Sequence, residues 1–123
     1  MSERPLFVTA ACFNWVVGLS LLVSYPLTAR LLELPGPPTV WLHLVAAIVV
    51  LFGFAYWLVA KHPERYRPFI GLGAAGKLAF AAIIYYHWLF GDAPTRLAML
   101  VNVDLVFALL FLRNLASSRA RTP

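Results

Sequence analysis

Four long apolar stretches, separated by short polar segments, dominate the chain. They cover residues 6–25, 39–60, 69–90 and 94–112. A transmembrane α-helix needs about 20 consecutive, predominantly apolar residues. Because each stretch is close to that length, the pattern predicts four membrane-spanning helices, which together form a single membrane domain over residues 1–123.

The segments between the predicted spans contain helix breakers. Residues 61–68 hold two prolines and three Lys or Arg residues, and residues 91–94 read Gly-Asp-Ala-Pro. Connections this short place consecutive helices side by side in opposite directions. Within the longer first loop, leucines recur at nearly helical spacing over residues 27–34, which indicates a short interfacial helix. We therefore predict an all-α protein, an antiparallel up-down four-helix transmembrane bundle.

Positive charge is divided unequally between the loops. If the spans alternate in direction, one side of the membrane holds only Arg30 and Arg96. The other side, which holds both termini, has seven cations: Arg4, Lys61, Arg65, Arg67, Arg113, Arg119 and Arg121. Short loops that are rich in Lys and Arg stay in the cytoplasm, so we expect both termini to be cytoplasmic.

Composition supports the membrane interpretation. Hydrophobic residues make up 62% of the chain and charged residues 12%, against about 25% charged in a soluble domain. The net charge of +5 comes mainly from the loops, so we expect the lipid bilayer as the partner and no nucleic acid. Tyr and Trp gather at the span ends, and we interpret Tyr56 as one such interfacial anchor.

Two charged residues interrupt the third and fourth apolar stretches. Lys77 lies eight residues into the third span, and Asp104 lies eight residues before the end of the fourth. At about 1.5 Å per residue, each lies about 12 Å from the same end of the bundle, near the bilayer midplane. Intramembrane charges are costly and usually face the bundle interior. The two depths therefore predict an ion pair between Lys77 and Asp104.

Asparagines at similar depth extend this prediction. Asn14 lies near the middle of the first span, so we predict a buried polar cluster of Asn14, Lys77 and Asp104. Asn102 is two residues from Asp104 and points to a different side of its helix, although we keep it as a candidate binding residue. Two interpretations of the cluster stay open. It either fixes helix register, or it binds a polar head group or relays a proton.

Two histidines form a second candidate site. His43 and His87 each lie a few residues from the same end of the second and third spans. Two such side chains could ligate a b-type haem or a metal, or each could be an interfacial histidine bonded to water. The chain has no Gly-rich phosphate loop, no cysteine metal cluster and no nucleophile–base–acid arrangement. We therefore do not expect an enzyme that acts on its own.

Residues 69–77 end in Gly-Lys, and residues 104–112 begin with Asp-Leu. Together with residues 88–94, these segments resemble the DoxX-like family of small four-helix bacterial membrane proteins. The resemblance implies a multi-pass protein of the bacterial inner membrane. Some members of the wider group are linked to membrane oxidoreductases that pass electrons to quinone, so quinone is the cofactor that the resemblance implies.

Three hypotheses for function follow. The first is a small membrane protein that binds a lipophilic molecule, or serves as an accessory subunit of a membrane complex, around the polar cluster. The second is a quinone- or haem-linked oxidoreductase subunit. The third is a proton-coupled small transporter that acts as a dimer. A membrane-protein partner or a second copy of the chain is therefore the expected protein partner.

Overall fold

The computed structural model describes residues 3–120, with side chains for residues 4–117. The fold there is all-helical, as predicted. Four of the helices, all except α2, are long and apolar enough to cross a membrane. The five helices are α1 (Glu3–Val23), α2 (Tyr25–Leu32), α3 (Val40–Lys61), α4 (Arg67–Phe90) and α5 (Thr95–Ala120).

The sequence at the helix ends explains most of these bounds. Thr39 caps α3, because its side-chain oxygen accepts a hydrogen bond from the Leu42 N–H at 3.2 Å. Pro68 lies in the first turn of α4, where a missing N–H costs no helical hydrogen bond. The last helix continues eight residues beyond the predicted span end at Leu112, to Ala120. Its final two turns are polar, so the end of the apolar stretch does not mark the end of the helix.

The short helix α2 follows α1 after a single intervening residue, and it begins two residues before the predicted start at residue 27. The hydroxyl of Thr28 donates to the backbone oxygens of Ser20 and Ser24, both at 3.0 Å, which holds the bend between the helices. Near the end of α2, the Leu31 carbonyl oxygen accepts a hydrogen bond from Arg96 Nη1 at 3.3 Å. Helix α2 therefore contacts both α1 and the start of α5.

Helices α1 and α3 pack closely against each other. A Cβ atom added to Gly53 would lie 2.5 Å from the Trp15 ring, and one added to Gly18 would lie 3.0 Å from the Ala46 carbonyl oxygen. Small residues at these positions let the two backbones approach, which is how helices associate in lipid. The contacts run in opposite order along the two helices, since the later residue of α1 meets the earlier residue of α3.

Helices α4 and α5 form the second closely packed pair. Lys77 contacts Asp104, and at the end of α4 the Trp88 indole N–H donates to the Thr95 hydroxyl at 3.1 Å. The order of contacts is again opposite along the two helices. Contacts within the α1–α3 pair and the α4–α5 pair are much more extensive than any contact between the pairs. The fold is therefore two tight helix pairs that meet loosely.

The buried core occupies one end of the bundle. It combines the first turns of α1 and α4 with the last turns of α3 and the later part of α5. Phe7 and Phe111 stack at its centre, with ring centroids 4.8 Å apart. The core residues are Leu6, Phe7, Ala10, Ala11, Tyr56, Val59, Ala60, Ile70, Ala74, Phe107 and Phe111.

Candidate functional site

Lys77 is the centre of a hydrogen-bonded cluster that joins three helices. Its side chain is 5% exposed, and Nζ donates to Asp104 Oδ1 at 2.5 Å and to Asn14 Oδ1 at 3.1 Å. The Asn14 amide nitrogen in turn donates to the Val49 carbonyl oxygen on α3 at 3.1 Å. We call Asn14, Lys77 and Asp104 the polar cluster. The structure brings these three sequence-predicted residues together.

Three aromatic rings surround the same amine. Lys77 Nζ lies 5.3 Å from the Phe13 ring centroid, 5.5 Å from that of Tyr56 and 5.2 Å from that of Phe107. An ammonium group within about 6 Å of a ring centroid is attracted by the negative face of the ring. The rings come from three different helices. Their attraction offsets part of the cost of burying an ammonium group in a place where water is nearly excluded.

Part of the cluster's hydrogen-bonding capacity is unused. A lysine ammonium has three N–H donors and a carboxylate has two acceptor oxygens. Within the part of the chain that the structure describes, Lys77 uses two donors and Asp104 accepts through Oδ1. Asp104 is also more accessible than Lys77, at 18% against 5% exposed. One N–H and one carboxylate oxygen are therefore free to bind another polar group.

A cavity of about 220 Å³ extends from the polar cluster toward α2, between the two helix pairs. The cluster lies at its inner end, and the packed core lies on the opposite side of the cluster. Apart from the cluster, its walls are aliphatic and aromatic: Phe13, Val17, Leu21, Leu32, Leu34, Leu42, Val45, Ile48, Val49, Phe52, Tyr56, Gly76, Phe80, Ile84, Leu97, Leu100 and Val101.

The walls of the cavity are not equally covered. Helix α2 contacts both α1 and α5, so it covers the loose junction between those helices. Among residues 3–120, no such element covers the junction of α3 and α4. There Val45 and Ile48 line the cavity and are nevertheless 40% and 45% exposed. The side between α3 and α4 is therefore the least covered wall of the cavity.

The other sequence-predicted residues lie elsewhere. Asn102 is exposed and takes no part in the polar cluster. His43 and His87 are both exposed, and neither lines the cavity. Within residues 4–117, no group of three or more His, Cys, Asp or Glu side chains is arranged to hold a metal ion.

Tyr56 corrects the sequence interpretation. It is not an interfacial anchor, because it is only 2% exposed and its ring faces Lys77 from within the core. A Cβ atom added to Gly73 would lie 2.6 Å from Tyr56 Cε1, so the glycine makes room for this ring. Gly73 is four residues before Lys77, on the same face of α4. A glycine in that position was the one sequence signal for a large neighbour beside the lysine.

No protein-family model, curated protein or solved structure matches this chain. Its function must therefore be argued from the chemistry of the site.

Proposed function

We propose that this chain is a four-span membrane protein that binds a lipophilic molecule, whose polar head group contacts the polar cluster. The observation that carries the proposal is the position of the cluster at the inner end of an otherwise apolar cavity. Ligand sites are typically apolar concavities with a few placed polar groups that fix orientation. A cluster that only fixed helix register would not need a cavity beside it.

The chemistry of the cluster favours a neutral head group. With Lys77 as an ammonium and Asp104 as a carboxylate, 2.5 Å apart, the two charges compensate each other. An added anion or cation would be buried without a counter-charge, which is costly in an apolar site. A carbonyl oxygen can accept the free N–H of Lys77. A hydroxyl can do the same and also donate to the second oxygen of Asp104.

The size of the cavity indicates how much of the ligand it holds. A dry apolar cavity of about 150 Å³ is enough to bind benzene. At about 220 Å³, this cavity holds a head group and the first few carbon atoms, but not a whole lipid. The remaining tail would leave between α3 and α4, past Val45 and Ile48, and lie in the bilayer.

The membrane arrangement is part of the proposal. The loop charges and the opposite order of helix contacts support spans that alternate in direction, with both termini in the cytoplasm. The packed core then lies in the cytoplasmic half, and the cavity lies in the outer half. A bacterial inner-membrane location and membership of the DoxX-like group depend on the sequence resemblance alone.

The alternative functions differ in how well this site supports them. A quinone is compatible with the cavity, because its carbonyl is a neutral acceptor. Haem ligation by His43 and His87 gains no support, since both are exposed and outside the cavity walls. The proton-coupled transporter stays a prediction, which an uptake assay tests. The accessory-subunit role also stays a prediction, which co-purification with a partner tests.

Blocking the cavity tests the proposal. Ile48→Trp enlarges a side chain that lines the least covered wall, whereas Leu51→Trp adds the same group to a residue that is 65% exposed and outside the cavity. Each variant is purified gently from membranes, and bound small molecules are identified by native mass spectrometry and solvent extraction. We expect a neutral lipophilic molecule with the wild type and with Leu51→Trp, and its loss with Ile48→Trp. Equal retention by both variants would refute a ligand in this cavity.

A further inference from the structure

Asn102 is an exposed amide in the central part of an apolar helix. It lies two residues from Asp104, which is about 3 Å along the helix axis, so it shares the depth of the polar cluster. The structure gives the Asn102 side chain no hydrogen-bond partner anywhere in residues 4–117. A polar group exposed to hydrocarbon without a hydrogen bond is costly. The proposed ligand site does not use this residue.

Asn102 belongs to an exposed stripe on α5. Met99, Val106 and Leu109 share its face, and they are 63%, 56% and 62% exposed. The four positions are spaced three, four and three residues apart, which is the spacing of a helix–helix seam with an average period of 3.5. We call these four residues the α5 stripe. Arg113 continues the spacing beyond Leu112, where water screens like charges.

From this stripe we infer that the chain forms a symmetric homodimer through α5, with the two Asn102 amides hydrogen-bonded to each other across the two-fold axis. Because the loop cations favour one orientation, we expect both copies to insert in the same direction. The axis is then parallel to the membrane normal, and the two α5 helices run parallel. A two-fold interface brings the same residue of both copies together near the axis.

A second copy of the chain can supply the hydrogen-bond partner that the Asn102 amide lacks. Asparagine carries both a donor and an acceptor, so its side chain is complementary to itself. A single asparagine in an apolar seam commonly sets register and oligomeric state. Among the described residues in the middle of the long helices, Asn102 is the only exposed Asn, Gln or charged side chain.

Disulfide crosslinking in native membranes tests the interface. Cys12, which is exposed, is first replaced by Ser. Single cysteines are then introduced as Val106→Cys and Leu109→Cys on the α5 stripe. The controls are Val103→Cys, one residue from Asn102 and 39% exposed, and Leu78→Cys on α4, 38% exposed. A disulfide needs Cβ atoms about 3.5–4.5 Å apart, so a fast crosslink reports direct contact.

We expect a crosslinked dimer of twice the chain mass from the two stripe cysteines and only monomer from the two controls. Three results would overturn the proposal. They are equal crosslinking at the control positions, no crosslink at the stripe positions, and a crosslink from the stripe to a different protein.

The role of the amide is tested in the Val106→Cys background. Asn102→Leu removes the hydrogen bond and should weaken dimerisation about 3- to 20-fold, the range expected for polar contacts between membrane helices. Asn102→Gln keeps a donor and an acceptor and should retain most of the dimer. Because the residue is exposed, neither change disturbs the monomer core. An unchanged or stronger dimer with Asn102→Leu would contradict the assignment. Ligand retention by the cavity does not depend on this result.

Discussion

Lys77→Met is the substitution that tests the polar cluster most sharply. It removes a buried amine that donates to Asp104 at 2.5 Å and to Asn14 at 3.1 Å, and that lies within 5.5 Å of three ring centroids. Methionine has a similar length and packs well against aromatic rings. The main cost of the change is therefore that of leaving the Asp104 carboxylate without its partner, and the lost hydrogen bond to Asn14 adds a smaller cost.

The magnitude follows from the burial of the pair. Removing one partner of a buried ion pair costs about 3–5 kcal/mol, because the other charge stays uncompensated. Asp104 is 18% exposed and therefore not completely removed from its surroundings, which limits the loss, so we expect about 3 kcal/mol. In the double variant Lys77→Met/Asp104→Leu both groups become apolar. Its unfolding free energy should return to within about 1 kcal/mol of the wild type, because such replacements are often neutral.

The assay is the free energy of unfolding in mixed micelles, measured by titration with a denaturing detergent and followed by circular dichroism. Leu78→Met, at the next position and 38% exposed, is the matched control and should change stability by less than about 0.5 kcal/mol. If Lys77→Met is no more destabilising than this control, Lys77 and Asp104 do not form a coupled charged pair. The coupling is also absent if the double variant loses as much unfolding free energy as Lys77→Met and Asp104→Leu lose together.

Three further predictions concern the fold. Gly53→Ala would place a Cβ atom 2.5 Å from the Trp15 ring and should destabilise the α1–α3 pair by about 1–3 kcal/mol. The control Gly71→Ala, whose added Cβ atom would lie 3.9 Å from its nearest neighbour, should be tolerated. Equal unfolding free energies of the two variants would contradict the close packing at Gly53. Arg96→Ala removes an exposed contact to Glu33 at 3.6 Å, so it should lower the free energy of unfolding by less than about 1 kcal/mol. Amide hydrogens of α2 should nevertheless exchange faster in this variant. An unchanged exchange rate would show that Arg96 does not hold α2 in place. A reporter that works only in the cytoplasm should be active when it is fused to the C-terminus. Activity of a reporter that works only on the other side of the membrane would contradict the proposed topology.

The sequence predicted the helices and the common level of the charged residues along the bundle well, for a simple physical reason. The length of an apolar stretch determines whether a helix can cross a bilayer, and the rise per residue determines how deep each side chain lies. These two quantities were sufficient to place Lys77, Asp104 and Asn14 at one level. The extra helical turns after Leu112 were missed, because a polar helical segment has no hydropathy signal.

The surroundings of the cluster could not be predicted in the same way. The rings of Phe13, Tyr56 and Phe107 reach Lys77 from three helices, and their positions depend on which helices are neighbours. The cavity arises because the α1–α3 and α4–α5 pairs pack tightly within themselves and loosely against each other. Hydrophobic periodicity along one helix contains no information about such a gap between helices. Gly73 and Gly53 marked two close approaches, but not the residues that fill them.

Photolabelling tests the central claim, that the cavity beside the polar cluster binds a neutral lipophilic molecule, most directly. The probe is a long-chain alcohol with a diazirine beside its hydroxyl, added to the purified protein, and the adducts are mapped by mass spectrometry. We expect labelling at cavity residues such as Val17, Val49 and Val101, with competition by excess unlabelled alcohol but not by the corresponding fatty acid. Labelling spread over the outward-facing residues Leu51 and Leu72, without competition, would contradict the account.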